Sequence, residues 1–167
     1  LAGLSCAKLS PLLCFFERQE EVAQMSVARI LEEKGSDVFT LSEDASILDA
    51  VRELGDHKVG AMVVADTDRT IKGILSERDV VGAIAKRGVG ALSEPVSALM
   101  TRNVITCTED MAINTLMELM TTGRFRHLPV ERDGKLAGIV SIGDLVKYRI
   151  DRIEAEARAM RDYITMA

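Results

Sequence analysis

Tryptophan is absent from the 167 residues, and histidine, proline and cysteine are scarce, at two, three and three. Cys6, Cys14 and Cys107 are odd in number and contain no C-x-x-C pair, so neither a disulfide framework nor a zinc site is expected. A reducing compartment, the cytoplasm, fits that cysteine usage. His57 and His127 lie far apart in sequence, which argues against a histidine-rich metal site. No stretch of about 18 apolar residues is present, so no spanning helix and no membrane partner is expected. Lysine and arginine number 21 against 26 acidic residues, a formal charge of −5, and the global positive field that nucleic-acid binding draws on is missing. The sequence also lacks a G-x-S-x-G elbow, a P-loop and an H-E-x-x-H pair. Gly88-Val89-Gly90 has no third glycine at fingerprint spacing and does not follow a strand pattern. These absences argue against an enzyme.

Apolar mass and repetition, by contrast, are plentiful. Apolar residues make up 47% of the chain, enough at this length to bury roughly two thirds of the unfolded surface. Setting SDVFTLSEDASILDAV beside RNVITCTEDMAINTLM aligns Val38 with Val104, Thr40 with Thr106, Glu43-Asp44 with Glu109-Asp110 and Ile47 with Ile113, each at an offset of 66 residues. Gly73-Ile74-x-Ser76-x-x-Asp79 aligns with Gly138-Ile139-x-Ser141-x-x-Asp144 at an offset of 65, and Val27-x-x-Ile30-Leu31 with Val96-x-x-Leu99-Met100 at 69. Two copies of one unit therefore occupy residues 25–87 and 96–150, separated by a glycine-rich linker over 88–95 that ends in Pro95. Residues 1–24 are expected to be an upstream extension ahead of Met25. They lack the basic start of a secretory leader, and an acidic run follows their apolar part.

Each copy carries the same succession of periods. Ala45, Ile47, Leu48, Val51 and Leu54 recur at helical spacing, as do Ile113, Leu116, Met117 and Met120. Two strands follow each helix, VGAMVVAD with TIKGILS and RHLPVER with KLAGIVS, the second pair joined by the Asp133-Gly134 turn signal. A second helix starts near Val80 and near Leu145. The resulting unit is α/β (α+β): strand, helix, strand, strand, helix, with a small three-stranded sheet and two helices. Such a sheet cannot cover both faces alone, so the copies are expected to pack with pseudo-twofold symmetry, leaving two clefts where equivalent strand ends meet. Over 151–167 a C-terminal helix is expected, because Ile150, Ile153, Ala157, Met160 and Ile164 repeat at spacings of 3, 4, 3 and 4. Either it folds back on its own domain or it pairs with another chain. Fewer than three heptads would not sustain an isolated coiled coil, so such a pairing must lean on the folded units.

GILSERDV and GIVSIGDL resemble the G-h-x-[ST]-x-x-D segment of cystathionine beta-synthase (CBS) domains, and RHLPV resembles the strand that precedes it. The match spans about 26–150, and its presence in two registered copies makes it specific. The resemblance implies a CBS pair, or Bateman module, of the small stand-alone kind. Such a module binds an adenine nucleotide, AMP foremost and otherwise ADP, ATP, NAD(H) or S-adenosylmethionine, without a metal. It signals to a regulated protein by conformational change and is expected as a homodimer. The alternative is a pair that has lost its ligand and serves as a scaffold or dimerisation protein.

In that family the hydroxyl and carboxylate of the shared segment contact phosphate and ribose, which points to Ser76, Asp79, Ser141 and Asp144. The same residues form a helix capping box, which would supply about 1 kcal/mol of helix stability and no function. Against that reading stand Gly73 and Gly138, which permit close backbone approach, and the affinity of helix N-termini for phosphate. Arg124, Arg126 and His127 gather positive charge just before a buried strand, and guanidinium suits phosphate by its bidentate geometry. The resemblance places Arg126 and His127 at the phosphate. The first copy has Lys58-Val59-Gly60-Ala61 at the matching place, so the clefts are expected to be unequal. Arg78 faces Gly143 in the alignment, and it either reaches the shared interface or lies on the surface. Val38, Thr40, Val104 and Thr106 open the first strand of each copy, where the family holds adenine. For the valines, core packing is the competing reading.

Overall fold

The computed structural model describes residues 26–166, so the extension expected over residues 1–24 lies outside the described residues. In chain order the elements are α1 (Val27–Lys34), β1 (Thr40–Leu41), α2 (Ile47–His57), β2 (Ala61–Ala65), β3 (Ile71–Ser76) and α3 (Glu77–Arg87). Two short 3₁₀ turns follow at Val89–Ser93 and Val96–Ala98, then α4 (Ile113–Gly123), β4 (His127–Arg132), β5 (Lys135–Ser141) and α5 (Ile142–Met166). The first sheet runs β1-β2-β3, with β1 parallel to β2 and β2 antiparallel to β3. β4 and β5 form an antiparallel hairpin, turned by Asp133 and Gly134, which both take positive φ, 53° and 74°.

In the second copy the first strand narrows to one parallel bridge between Cys107 and Val130. Cys107 donates its N–H to the Pro129 carbonyl at 3.0 Å and accepts from the Glu131 N–H at 2.8 Å. Just ahead of it the Val104 N–H turns back onto the Arg102 carbonyl, 3.0 Å, which takes those residues out of extended pairing. Cys107 occupies the place that Leu41 holds in the first copy. Burial pushes its thiol up to about 11, so it acts there as a small apolar side chain.

The two copies exchange their leading segments. Val27, Ile30 and Leu31 of α1 are buried in the core of the second copy, among Ile113, Leu116, Leu128, Val140 and Leu145. Val96 and Met100 are buried in the core of the first, among Ile47, Leu54, Met62 and Leu75. The backbone contacts match pair for pair. Val27 N–H donates to the Met111 carbonyl (3.1 Å) and Ala28 to Glu109 (2.9 Å), as Val96 does to Ala45 (2.8 Å) and Ser97 to Glu43 (2.9 Å). This is the pseudo-twofold relation expected from the repeat, and it ties both cores into one unit.

The exchange also explains the two glycines. A Cβ on Gly138 would lie 2.8 Å from Leu31 Cδ2, and one on Gly73 would lie 2.7 Å from Met100 Sδ and 3.0 Å from the Thr101 carbonyl oxygen. The close approach they permit is to the exchanged segments. α5 runs unbroken for 25 residues. Its start is anchored by buried Leu145, with Ile142 and Tyr148 packed on the core. From Arg149 to Thr165 no residue is buried, so the helix does not fold back on its own domain. Among the described residues no helix is long and apolar enough to cross a membrane.

Candidate functional site

β2 and β4 begin side by side at the pseudo-twofold axis, each entered from a helix that ends in a left-handed residue, Lys58 (φ 53°) and Arg124 (φ 55°). A Cβ on Gly60 would lie 3.4 Å from His127 Cε1. Each strand start is fastened to the helix that follows its own hairpin. The Glu77 N–H donates to the Gly60 carbonyl at 3.1 Å and the Ile142 N–H to the Arg126 carbonyl at 2.9 Å.

At Ser76, β3 turns into α3. Asp79 Oδ2 accepts from the Ser76 N–H (2.9 Å) and hydroxyl (2.6 Å), while Ser76 Oγ accepts from the Asp79 N–H (3.4 Å). Ser141 and Asp144 repeat the box where β5 turns into α5, at 2.8, 2.8 and 3.2 Å. Both pairs therefore cap their helices. Each box uses only Oδ2 of the carboxylate.

A cleft of about 230 Å³ opens beside the first of these caps. It is lined by Ser76, Arg78 and Asp79 from the first cap, by Val104 and Ile105, by Arg124, Phe125, Arg126 and His127 at the start of β4, and by Gly60 and Ala61 at the start of β2. Arg78 reaches across, donating from Nη1 to the Arg124 carbonyl at 3.4 Å, so it belongs to the shared interface. Burial first, then the nearby Arg126 and Lys34 cations, hold the His127 pKa below the usual histidine value, so most of the positive charge at this place rests on the arginines.

The equivalent cap at Asp144 has a different neighbour. Lys34, the last residue of α1, places Nζ 2.6 Å from Asp144 Oδ2. Burial alone would raise the Asp144 carboxyl, but the Lys34 ammonium and the Ser141 hydrogen bonds outweigh it and hold the pKa below the ordinary carboxylate value. A depressed carboxylate stabilises the fold above its unfolded pKa, and that contribution disappears as pH falls through the folded value. Lys34→Met should therefore move the acid-unfolding midpoint, followed by circular dichroism, to higher pH. An unshifted midpoint would mean that the pair contributes nothing.

Of the residues selected from sequence, the structure gathers Ser76, Arg78, Asp79, Val104, Arg124, Arg126 and His127 in one cleft. Thr40 instead lines a separate hollow with Glu43, Asp66 and Lys72. Val38 lies half-buried ahead of β1, and Thr106 half-buried beside Cys107. Ser141 and Asp144 sit at the second cap. Sequence reasoning passed over Ile105, Phe125, Asn103 and Thr101 in the cleft, and Lys34 at Asp144. One signal was available, since Ile105 and Phe39 occupy matching positions of the two copies and both are large, apolar and exposed.

Two capped strand-to-helix turns related by a pseudo-twofold axis, with exchanged leading segments, coincide with a family profile: residues 27–86 and 96–151 each match the CBS domain. The chain belongs to the CBS-domain family. Solved CBS proteins share its fold. A CBS-domain containing protein from Agrobacterium tumefaciens, ATU1752, is 50% identical with a TM-score of 0.72, over 74% of this chain and 92% of that one. The CBS domain pair of protein MJ0100, in complex with 5′-methylthioadenosine and S-adenosyl-L-methionine, is 25% identical (TM-score 0.68, 76% and 97%). CBS domain protein PAE2072 from Pyrobaculum aerophilum, complexed with AMP, is 27% identical (TM-score 0.64, 71% and 88%). CBS pairs of this kind are regulatory and bind adenosine-containing ligands in those neighbours.

Proposed function

We propose that this CBS pair is a sensor of adenine nucleotides, AMP foremost, and that the nucleotide binds in the cleft between Ser76–Asp79 and Arg124–His127. The observation that carries this reading is the meeting, in one cleft, of three kinds of chemistry that a nucleotide requires. Val104, Ile105 and Ile74 offer apolar surface for a base. Asp79, with one carboxylate oxygen outside its capping box, suits ribose hydroxyls. Arg78, Arg124 and Arg126 offer guanidinium groups to a phosphate, and His127 adds a hydrogen-bonding group. The neighbours that hold AMP or S-adenosyl-L-methionine support the ligand class. The equivalent turn at Ser141–Asp144, whose carboxylate already pairs with Lys34 and whose facing strand start carries Gly60 and Ala61 in place of Arg126 and His127, would hold a nucleotide more weakly. Occupancy is signalled to a regulated protein through the shared interface, where ligand contacts draw on both copies. No residue is assigned a catalytic role.

A ligand that binds only the folded state adds RT ln(1 + [L]/Kd), about 1.4 kcal/mol at a tenfold excess over Kd. AMP is expected to raise the melting temperature by several degrees in a thermal-shift titration, with ADP, ATP, NAD(H) and S-adenosylmethionine as comparisons. No shift with any of the five would overturn the sensor reading and leave a ligand-free scaffold.

A further inference from the structure

Lys34 ends α1 with its ammonium 2.6 Å from Asp144 Oδ2, the same oxygen that accepts from the Ser141 N–H and hydroxyl. Asp79 carries the same capping box in the first turn, but among the described residues it has no ion pair. The two turns therefore differ in the charge state that a ribose would meet. We propose, resting on the nucleotide reading of the first cleft, that Lys34 closes the Ser141–Asp144 turn to nucleosides and so holds the chain to one nucleotide.

The repeat itself puts Lys34 in that space. The offset of 69 that aligns Val27-x-x-Ile30-Leu31 with Val96-x-x-Leu99-Met100 also sets Lys34 against Asn103. Asn103 lines the open first cleft, so a long cation stands in the second turn where the first has a short neutral amide. The lysine is held there by its backbone. Val27, Ile30 and Leu31 are buried in the second core, and Gly35, at φ 92°, ends the helix directly behind Lys34, its N–H donating to the Leu31 carbonyl at 2.9 Å. The chemistry then favours closure. A carboxylate holds sugar hydroxyls well because its charge strengthens those hydrogen bonds, and the Lys34 ammonium neutralises that charge. Both side chains are partly withdrawn from water, at 33 and 26% exposed, so separating them leaves two incompletely hydrated charges. A nucleoside has no phosphate to which a displaced ammonium could turn.

Equilibrium dialysis of the full chain against labelled adenosine counts the sites. The wild type should bind about one adenosine per chain, at the first cleft. Lys34→Ala, and Lys34→Asn, which copies Asn103, should each bind about two, the second turn gaining at least about tenfold in affinity. Lys34→Arg keeps a cation at Asp144 and should stay at about one. Adding Asp144→Asn to Lys34→Ala takes away the carboxylate charge and should remove the gained site. Lys34 does not line the first cleft, so binding there reports in each variant that the fold is kept. A wild type that binds one adenosine, with both neutral variants also binding one, would overturn the closure by Lys34 and leave the nucleotide reading standing. A wild type that already binds two, or a gained site that survives Asp144→Asn, would overturn it as well. A wild type that binds none would overturn both readings.

Discussion

Arg126→Ala is expected to weaken AMP binding by about 1.5 to 3 kcal/mol, roughly 10- to 150-fold, and to leave adenosine binding almost unchanged. Arg126 is exposed on the wall of the cleft, three residues before the buried Pro129, and its backbone carbonyl is fixed by the Ile142 N–H. The backbone is thus held while the guanidinium remains available. Removing the side chain takes away a charge-assisted contact to phosphate and leaves no buried group unpaired. The melting temperature of the free protein should therefore be unaltered. Adenosine supplies the control, since it presents the same base and ribose to Val104, Ile105 and Asp79 but no phosphate. Isothermal calorimetry with both ligands on both proteins reads the difference. Equal losses for AMP and adenosine would mean that Arg126 shapes the cleft and does not hold the phosphate.

Leu31→Ala is expected to destabilise the fold by about 2 to 5 kcal/mol, a large share of the ordinary stability of a domain of this size. Leu31 is buried, and it packs against Gly138, which has no side chain to move into the space left behind. The cavity therefore persists, which places the cost toward the upper end. The loss should fall on the second copy although Leu31 precedes the first. Hydrogen exchange should accelerate in β4 and β5 more than in β2 and β3. Gly138→Ala alone should also destabilise, because its Cβ would meet Leu31 Cδ2 at 2.8 Å. In the Leu31→Ala background the same methyl group has room and should recover part of the stability. Chemical denaturation of the four proteins gives that double-mutant cycle, and additive losses would mean that Leu31 and Gly138 do not share a cavity.

Much of the fold was legible because the repeat supplies its own control. Each periodic segment is read twice, and the helices at Ile47 and Ile113, both hairpins and the Asp133-Gly134 turn follow from local spacing and turn chemistry. The Ser-x-x-Asp pairs were also visible as caps, since a capping box is closed by residues three apart. The inequality of the two strand starts, Arg126-His127 against Gly60-Ala61, likewise stands in the sequence. What local pattern could not reveal is which distant surfaces meet. α1 reads as the head of the first copy, yet it packs in the second core, because the exchange buries apolar area that either copy alone would leave in water. Gly73 and Gly138 signalled close approach without saying to what, and only packing puts Met100 and Leu31 there. Ile105 faces the cleft, whereas Thr106 and Cys107 do not line it, because the turn at Val104 breaks the alternation that a longer strand would have imposed. The Lys34–Asp144 pair spans 110 residues, beyond the reach of any sequence window. Residue spacing determined the elements, the caps and the doubled unit, since those depend on neighbours within a few positions. The cleft, its arginine wall and the pairing of Asp144 were decided by tertiary packing, which alone sets the distances between groups far apart along the chain.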